Sequence, residues 1–382
     1  MRKLALVLLL ALPVAAADLT GRIVDPTGKP VPEAHVYVYT AVPKKGVSVV
    51  CPSCYRDCGK QVDADAKGNF RIKSVDDALK FRLLAVAEGF EPALSEHNEK
   101  RDYELTLKAR PSGDDEHMVR GRVVDPQGKA LVGALVEFHG VRQGQRKGWG
   151  AIPGIDPLSI TNANGDFAIR VPDPDMLVDV RVRARNYGVR IARELLPGVP
   201  AQTVSVDVGA TITGRLMNGN KPVPGARVGI AQVDHRSENW LGAEEIGTDA
   251  KGQFVMTGLA TGIEYQVFPK MESVAPLTVA PRVVKTGEDR STADAGTFQL
   301  ARGFRVAGKV NGELPPETRV SLFTPNDTQS VMVKSDGTFV FEGVPAGKVR
   351  MYAAAPGFGR PQPIEVDVQK DVVDVTMDLR KR

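Results

Sequence analysis

The stretch GRIVDPTGKPVPEA at residues 21–34 decides the fold, because it recurs three more times along the chain. It returns almost letter for letter as GRVVDPQGKALVGA at residues 121–134, and more loosely as GRLMNGNKPVPGA at residues 214–226. A fourth, degraded copy, GKVNG, begins at Gly308. The starting glycines are 100, 93 and 94 residues apart. A period of that length is a whole domain rather than a solenoid repeat, so the chain is predicted to contain four similar domains.

A polar turn that runs through Gly to Phe follows each copy of this stretch. The four turns are DADAKGNF at 63–70, TNANGDF at 161–167, TDAKGQF at 248–254 and SDGTF at 335–339. Asp, Asn and Gly favour tight turns, and the residues after each Phe alternate as a half-buried strand does. The 38 glycines and 27 prolines among 382 residues suit many short strands joined by turns. The predicted fold class is therefore all-β.

The order of these motifs, completed by a strand with an aromatic end such as FRLLAVAEGF at 81–90, resembles the carboxypeptidase regulatory-like domain. The resemblance covers nearly all of the chain as four copies, strongest in the first two and weakest at the start of the fourth. It implies a transthyretin/prealbumin-like, seven-stranded β-sandwich in each copy. The predicted domain bounds are 18–110, 118–209, 210–300 and 301–382. Because the motifs consist of turn and core residues, the resemblance implies a fold rather than an activity.

The first 17 residues have the pattern of an export signal. Arg2 and Lys3 precede an apolar run at 4–12, and the alanines at 15–17 predict cleavage after Ala17. The apolar run is about half of what a membrane span needs. We therefore expect a secreted or periplasmic protein with no membrane span after signal removal. The formal net charge of +4 is small for this length and predicts no nucleic-acid partner.

All three cysteines lie in a predicted insertion at residues 40–60, at Cys51, Cys54 and Cys58. In an exported protein this favours one disulfide and one remaining thiol, and three pairings are possible. A metal site is an alternative, and its fourth ligand would come from His35, His97 or Asp57. A redox dithiol is a further alternative, although no helix is predicted there to lower a thiol pKa. No metal and no cofactor are predicted.

Two other motifs suggest chemistry and are set aside. The segment DADAKG at 63–68 begins like a calcium loop, but Lys67 stands where an acid or amide is needed, so we expect a carboxylate that caps its own turn. His235 and Glu238 form the H-x-x-E pair of zinc carboxypeptidases, yet no histidine follows His235 to complete the site. No complete catalytic constellation remains, and the protein is predicted not to be an enzyme.

The only two tryptophans occupy equivalent predicted loops, in the second and third domains. Trp149 follows the cation Arg146, and Trp240 follows the amide Asn239. Loops on a rigid sandwich commonly carry binding residues, and an indole beside hydrogen-bonding groups can stack on a sugar ring. The alternative is that each indole folds back to cover the edge of its own sheet.

The leading functional prediction is an exported, non-catalytic binding or structural protein, with carbohydrate as the first ligand class and a cell-surface protein as another partner. One alternative is a metal- or thiol-dependent activity at Cys51, Cys54 and Cys58. Another is a pure spacer, or an accessory to a separate exported enzyme.

Overall fold

The computed structural model describes residues 16–44, 55, 57–144, 146–150, 152–200, 202–315, 317–355, 358 and 362–379. Its regular elements are nearly all β-strands. Two 3-10 turns, Asp115–His117 and Ser237–Asn239, and the short helix α1, Met271–Val274, are the described exceptions. The chain divides into two compact units, residues 1–110 and 111–382. Each unit is described by itself.

The first unit contains one sandwich of seven strands, called sandwich 1. Its strands are β1 Ala16–Val24, β2 His35–Pro43, β3 Gln61–Asp63, β4 Asn69–Asp76, β5 Leu79–Val86, β6 Ala93–Leu94 and β7 Asp102–Thr106. One sheet has the order β4-β1-β7 and the other β3-β2-β5-β6. Strand β1 runs antiparallel to β4 and parallel to β7. Because β1 begins at Ala16, the predicted cleavage point after Ala17 falls inside this strand.

The second unit begins with sandwich 2. Its strands are β8 Met118–Val124, β9 Leu135–Gln143, β10 Arg146–Trp149, β11 Leu158–Ile160, β12 Asp166–Arg170, β13 Leu177–Arg183, β14 Arg190–Leu195 and β15 Gln202–Ser205. The sheets are β12-β8-β15 and β10-β9-β13-β14, and β11 also pairs with β9.

Sandwich 3 follows in the same unit. Its strands are β16 Ala210–Asn218, β17 Lys221–Pro222, β18 Arg227–Gln232, β19 Ala243–Gly247, β20 Gln253–Leu259, β21 Glu264–Pro269, β22 Leu277–Thr278, β23 Arg282–Lys285 and β24 Thr292–Gln299. Strand β16 lies between β20 and β24 and also pairs with β17, and the second sheet is β19-β18-β21-β23.

Sandwich 4 completes the second unit. Its strands are β26 Phe304–Asn311, β27 Arg319–Phe323, β28 Thr328–Met332, β29 Thr338–Val344, β30 Gly347–Ala354, β31 Ile364–Val368 and β32 Val372–Asp378, preceded by β25 Ala301–Arg302, which pairs with β22. The sheets are β29-β26-β32 and β28-β27-β30-β31.

The four sandwiches share one plan, and the predicted all-β class of tandem β-sandwiches is confirmed. Sandwich 1 has the predicted seven strands, whereas eight strands are described for sandwich 2 and nine for sandwich 3. In each, the repeated opening stretch supplies a strand that lies between one antiparallel and one parallel partner, and a second sheet of at least four strands closes over it. Four separate apolar clusters are buried between the paired sheets. The domain bounds inside residues 111–382 stay a prediction, since this part of the chain forms one compact unit.

The repeated glycine lies opposite the repeated phenylalanine on the neighbouring strand, and this pairing accounts for the presence of both residues in the repeat. Gly121 in β8 pairs with Phe167 in β12, and a Cβ at Gly121 would lie 2.5 Å from two ring carbons of Phe167. The same pairing joins Gly21 to Phe70 and Gly214 to Phe254, again with ring carbons closer than 3 Å to the added Cβ. Real Cβ atoms cannot approach that closely, so the glycine makes room for the ring that fills the core.

The repeated aspartates cap their own turns. Asp65 Oδ1 accepts hydrogen bonds from the amides of Lys67 and Asn69, both at 2.8 Å. Asp249 Oδ1 accepts from the amides two and four residues onward in the same way. The hydrogen bond from Asn69 N is the foremost reason that the pKa of Asp65 lies below its usual range. The expected turn cap at 63–68 is confirmed.

Buried contacts join the three sandwiches of the second unit. Between sandwiches 2 and 3 the backbones touch: a Cβ at Gly209 would lie 2.7 Å from the carbonyl oxygen of Leu259. Between sandwiches 3 and 4, Asp327 is 6% exposed and forms an ion pair with Lys270. Met271 of α1 lies in the apolar cluster of sandwich 4. These three sandwiches therefore pack as one body.

Candidate binding site

Trp149 lies on an edge strand and not in a loop, which corrects the prediction. It ends β10, which pairs antiparallel with β9 so that Trp149 faces Gly140. A Cβ at Gly140 would lie 2.8 Å from Cδ1 and 3.0 Å from Nε1 of the indole. The ring therefore covers the backbone of the inner strand β9 rather than the edge of the sheet, and Trp149 remains 36% exposed. The indole of Trp149 therefore presents a flat aromatic surface to solvent.

Trp149 begins a row of residues that crosses the sheet. Gly140 pairs with Trp149 on one side and with Asp179 of β13 on the other. Paired residues of neighbouring strands point to the same face, so Asp179 lies on the indole side of the sheet. Asp179 is only 1% exposed because Arg142 and Arg193 bind its two carboxylate oxygens, at 2.6 and 3.3 Å. The carboxylate thus fixes two guanidinium groups beside the indole.

Arg193 connects this row of residues to sandwich 3. Its Nη2 donates to Asn239 Oδ1 at 2.8 Å and to the carbonyl oxygen of Glu238 at 2.9 Å. His139, the neighbour of Gly140, also donates to that Glu238 oxygen, at 3.2 Å. Burial foremost lowers the pKa of His139, which favours its neutral form. The structure thereby brings both tryptophan-bearing segments to one junction.

Asn239 and Trp240 are engaged inside the protein. Asn239 also donates from Nδ2 to Asp234 Oδ2, at 2.8 Å, so both ends of its amide have protein partners. The Trp240 ring is half-buried and meets the ring of His235 edge-on, with 4.8 Å between centroids. Trp240 lies in the loop before β19, where a loop was expected. His235 is thereby explained as a packing partner of the indole.

A cleft of about 550 Å3 opens where this row reaches sandwich 3. Arg193 and Asn239 line it together with residues from the edge strand β14 and from the turn before β21. Its other polar lining comes from both sandwiches: Arg190, Asp207, Gln232, Asp234, Glu264 and Lys285. A cleft with several convergent polar groups is typical of a ligand site. Arg193, at the end of the row that begins at Trp149, forms part of the wall of this cleft.

Arg146, predicted to act beside Trp149, is exposed on the same strand. It is three residues before Trp149 in a regularly paired strand, and side chains alternate between the two faces. Arg146 therefore points to the face opposite Trp149, while the exposed Lys147 lies on the indole side. Of the two cations, Lys147 and not Arg146 therefore lies beside Trp149. The prediction chose Arg146 because it placed both residues in a loop, where side chains need not alternate between faces.

The cysteine segment is only partly described. Cys51 and Cys54 lie outside the described residues, so the disulfide, metal and dithiol alternatives stay predictions. Cys58 packs against the core of sandwich 1. Of the three proposed further ligands, Asp57 bonds Lys60 and the amide of Asp76, His35 bonds Asp63 and Gln61, and His97 bonds Thr40. Among the described residues, no group of three His, Cys, Asp or Glu could hold a metal ion.

Cys58 is expected to react slowly with thiol reagents in the folded protein. Burial foremost raises the pKa of its thiol to about 11, so near pH 8 almost none of it is the reactive thiolate. Iodoacetamide labelling, followed by peptide mass spectrometry, should show Cys58 modified many times more slowly in the native chain than in urea. The native rate should rise as the pH is raised from 8 to 10. Equal rates in both states at pH 8 would contradict this assignment.

Comparisons with known proteins report fold similarity alone. No family model and no curated protein matches the chain. Among solved structures it is similar to the Bacillus anthracis TIE protein, with 11% identity over 96% of this chain and 75% of that one, and a TM-score of 0.22. It is also similar to a streptococcal ancillary pilin, with 12% identity over 70% of this chain and 99% of that one, and a TM-score of 0.22. A third is BcpA, the major pilin subunit of Bacillus cereus, with 10% identity, 74% and 99% coverage and a TM-score of 0.19.

Similarity at this level transfers no function, and the carboxypeptidase regulatory-like resemblance stays a prediction. The fold class rests on the strand pairing of the chain itself. The described part of the chain contains no helix with the length and apolar character of a membrane span.

Proposed function

We propose that the chain is an exported, non-catalytic protein that binds carbohydrate at the junction of sandwiches 2 and 3. The observation that carries the proposal is the exposed indole of Trp149, which lies in one row with Asp179 and Arg193 and leads to the cleft beside Asn239. Sugar rings stack on such flat aromatic surfaces, and fixed polar groups beside the ring select hydroxyl positions.

The rigidity of this junction supports the proposal. Arg193 is held from both sides, by the buried Asp179 of its own sandwich and by Asn239 of the next. The backbones of the two sandwiches also touch at Gly209 and Leu259. Side chains that are already ordered lose less conformational entropy when a ligand binds. A preformed surface of this kind suits recognition without catalysis.

Replacing Trp149 with alanine is expected to weaken glycan binding at least about tenfold, since a central aromatic anchor commonly contributes about 2 kcal/mol to binding. Trp240→Ala is expected to have a smaller effect, because that ring already packs against His235. A glycan array with the full chain identifies the ligand, and calorimetry with the bound glycan measures both variants.

Trp149→Phe serves as the matched control, because it keeps a flat ring on the same strand and should retain part of the affinity. Circular dichroism and thermal melts establish that each variant is folded. Unchanged binding in both alanine variants, or no glycan bound by the parent chain, contradicts the proposal.

A second candidate function is that of a spacer or of an accessory to a separate exported enzyme. The contacts that lock residues 111–382 into one compact unit favour it. In that case the variants at Trp149 and Trp240 would leave every interaction of the chain unchanged, and pull-downs from the exported fraction would depend on other surfaces. The thiol- or metal-dependent alternative is tested by counting free thiols and measuring metal in the purified protein.

A further inference from the structure

The outer face of the sheet β10-β9-β13-β14 is unusually rich in charge. Along β13, Val178, Val180 and Val182 are fully buried, so the alternate residues of that strand point away from the core. The face carries five cations and three carboxylates within the described residues. The cations are Arg142, Lys147, Arg181, Arg183 and Arg193, and the carboxylates are Glu137, Asp179 and Glu194. Its formal charge is therefore positive.

The carboxylates of this face are largely occupied by neighbouring cations. Asp179 is bound by Arg142 and Arg193 and is almost fully buried. Glu137 accepts from Arg181 at 2.8 Å and from Arg183 at 2.5 Å. Glu194 remains 61% exposed, and its carboxylate lies 3.6 Å from Arg142. A ligand on this face therefore meets more accessible positive than negative charge.

The accessible cations lie on either side of the exposed indole of Trp149. Lys147 shares the indole face of β10 and stands opposite Arg142 in the strand pairing. Arg193 lies three strands away from β10, about 14 Å at the usual strand spacing, and its side chain is 38% exposed. Between them lies the row Trp149, Gly140 and Asp179. The distance is enough for several sugar rings.

We propose that this outer face, from Lys147 and Trp149 to Arg193, binds an acidic oligosaccharide that carries uronic-acid carboxylates. One sugar ring stacks on the indole of Trp149, and carboxylates on neighbouring rings pair with Lys147 and with the guanidinium of Arg193. Arginine suits this role because a guanidinium has five N–H donors, and the hydrogen bonds of Arg193 to Asp179, Asn239 and the Glu238 carbonyl use three of them. The inference rests on the proposed carbohydrate function and adds the ligand class and the orientation of the bound chain.

The edge strand itself supplies a matched pair of variants. Lys147 and Arg146 are adjacent, exposed and cationic, but they point to opposite faces of β10. Lys147→Gln and Arg146→Gln change the net charge of the chain by the same amount. Long-range electrostatic attraction falls equally in both, so a difference in affinity reports contact on the indole face.

The test measures binding of a short oligogalacturonide and of its fully methyl-esterified form to the full chain by calorimetry, at low salt and in 0.5 M NaCl. The acid is expected to bind at least about tenfold more tightly than the ester at low salt, and salt should weaken only the acid. Lys147→Gln should weaken binding of the acid about fivefold and leave the ester unchanged, whereas Arg146→Gln should stay within about twofold of the parent.

The other outcomes separate the two proposals. Equal affinity for acid and ester overturns the acidic ligand and leaves carbohydrate binding standing. Equal losses in Lys147→Gln and Arg146→Gln overturn the placement on the indole face. Binding of a sulfated glycan alone overturns the choice of carboxylate. If the chain binds no glycan of any kind, both the proposed function and this inference fail.

Discussion

Replacing Gly121 with alanine is expected to lower the free energy of unfolding of the second unit by about 3 kcal/mol, the scale of severe overpacking in a core. The new Cβ would lie 2.5 Å from two ring carbons of Phe167 and 2.8 Å from the carbonyl oxygen of Gln202. Phe167 is buried between the sheets, and Gln202 belongs to the parallel partner strand β15. Neither can move without disturbing the centre of sandwich 2.

Urea unfolding followed by fluorescence measures this loss, and Gly247→Ala is the control. Gly247 also lies in a strand, but a Cβ there would meet nothing within 4 Å. Its replacement should leave stability within about 0.5 kcal/mol of the parent. A Gly121→Ala protein as stable as the Gly247→Ala protein would show that the pairing of glycine with phenylalanine is not the reason for the repeat.

Replacing Asp327 with alanine is expected to cost about 3 kcal/mol, the lower end of the usual cost of removing one partner from a buried ion pair, because Lys270 keeps a second carboxylate, Glu245, at 3.5 Å. Asp327 Oδ2 accepts from the amide of Met271 at 2.7 Å, and Oδ1 accepts from the amide of Thr328 at 2.8 Å. Lys270 completes the ion pair, and its own side chain is mostly buried. The alanine variant would leave an ammonium group and two amides without this acceptor at the contact of sandwiches 3 and 4.

Urea unfolding again measures the loss, and limited proteolysis should show new cleavage around residues 270–280. Asp327→Asn should lose less, because the amide oxygen can still accept a backbone hydrogen bond. Asp336→Ala is the control for removing a repeated turn aspartate, since its exposed carboxylate bonds only within its own turn and should cost much less. An Asp327→Ala protein that keeps the parent's stability and protease resistance would contradict the role of this ion pair.

Much of the fold could be predicted because its signals are local. Asp65 binds amides two and four residues away, so the turn at 63–68 is visible in the sequence without any tertiary knowledge. The alternating residues YELTL at 103–107 and VDVTM at 373–377 each predict a strand, and these strands appear as β7, Asp102–Thr106, and β32, Val372–Asp378. Alternation of buried and exposed residues marks such strands wherever one face is buried.

The candidate site was predicted less well, because edge strands and junctions depend on distant residues. Trp149 is flanked by glycines and cations that resemble a loop, yet β10 forms because β9 offers it an open edge. Lys147 was overlooked beside Arg146, since which of two adjacent side chains shares the indole face follows only from strand register. No motif in the sequence pointed to Arg193, although its guanidinium joins Asp179 of sandwich 2 to Asn239 of sandwich 3.

The sequence by itself determined four β-sandwiches, through turns and glycine–phenylalanine pairs that each sandwich repeats. Only the tertiary structure decided that the two tryptophan-bearing segments meet, since His139 and Glu238, which join them, are 99 residues apart. The physical reason is the separation along the sequence over which each kind of interaction acts. Turn chemistry and alternation act over a few residues, whereas the binding surface arises from strand register within sandwich 2 and from the packing of sandwich 3 against it.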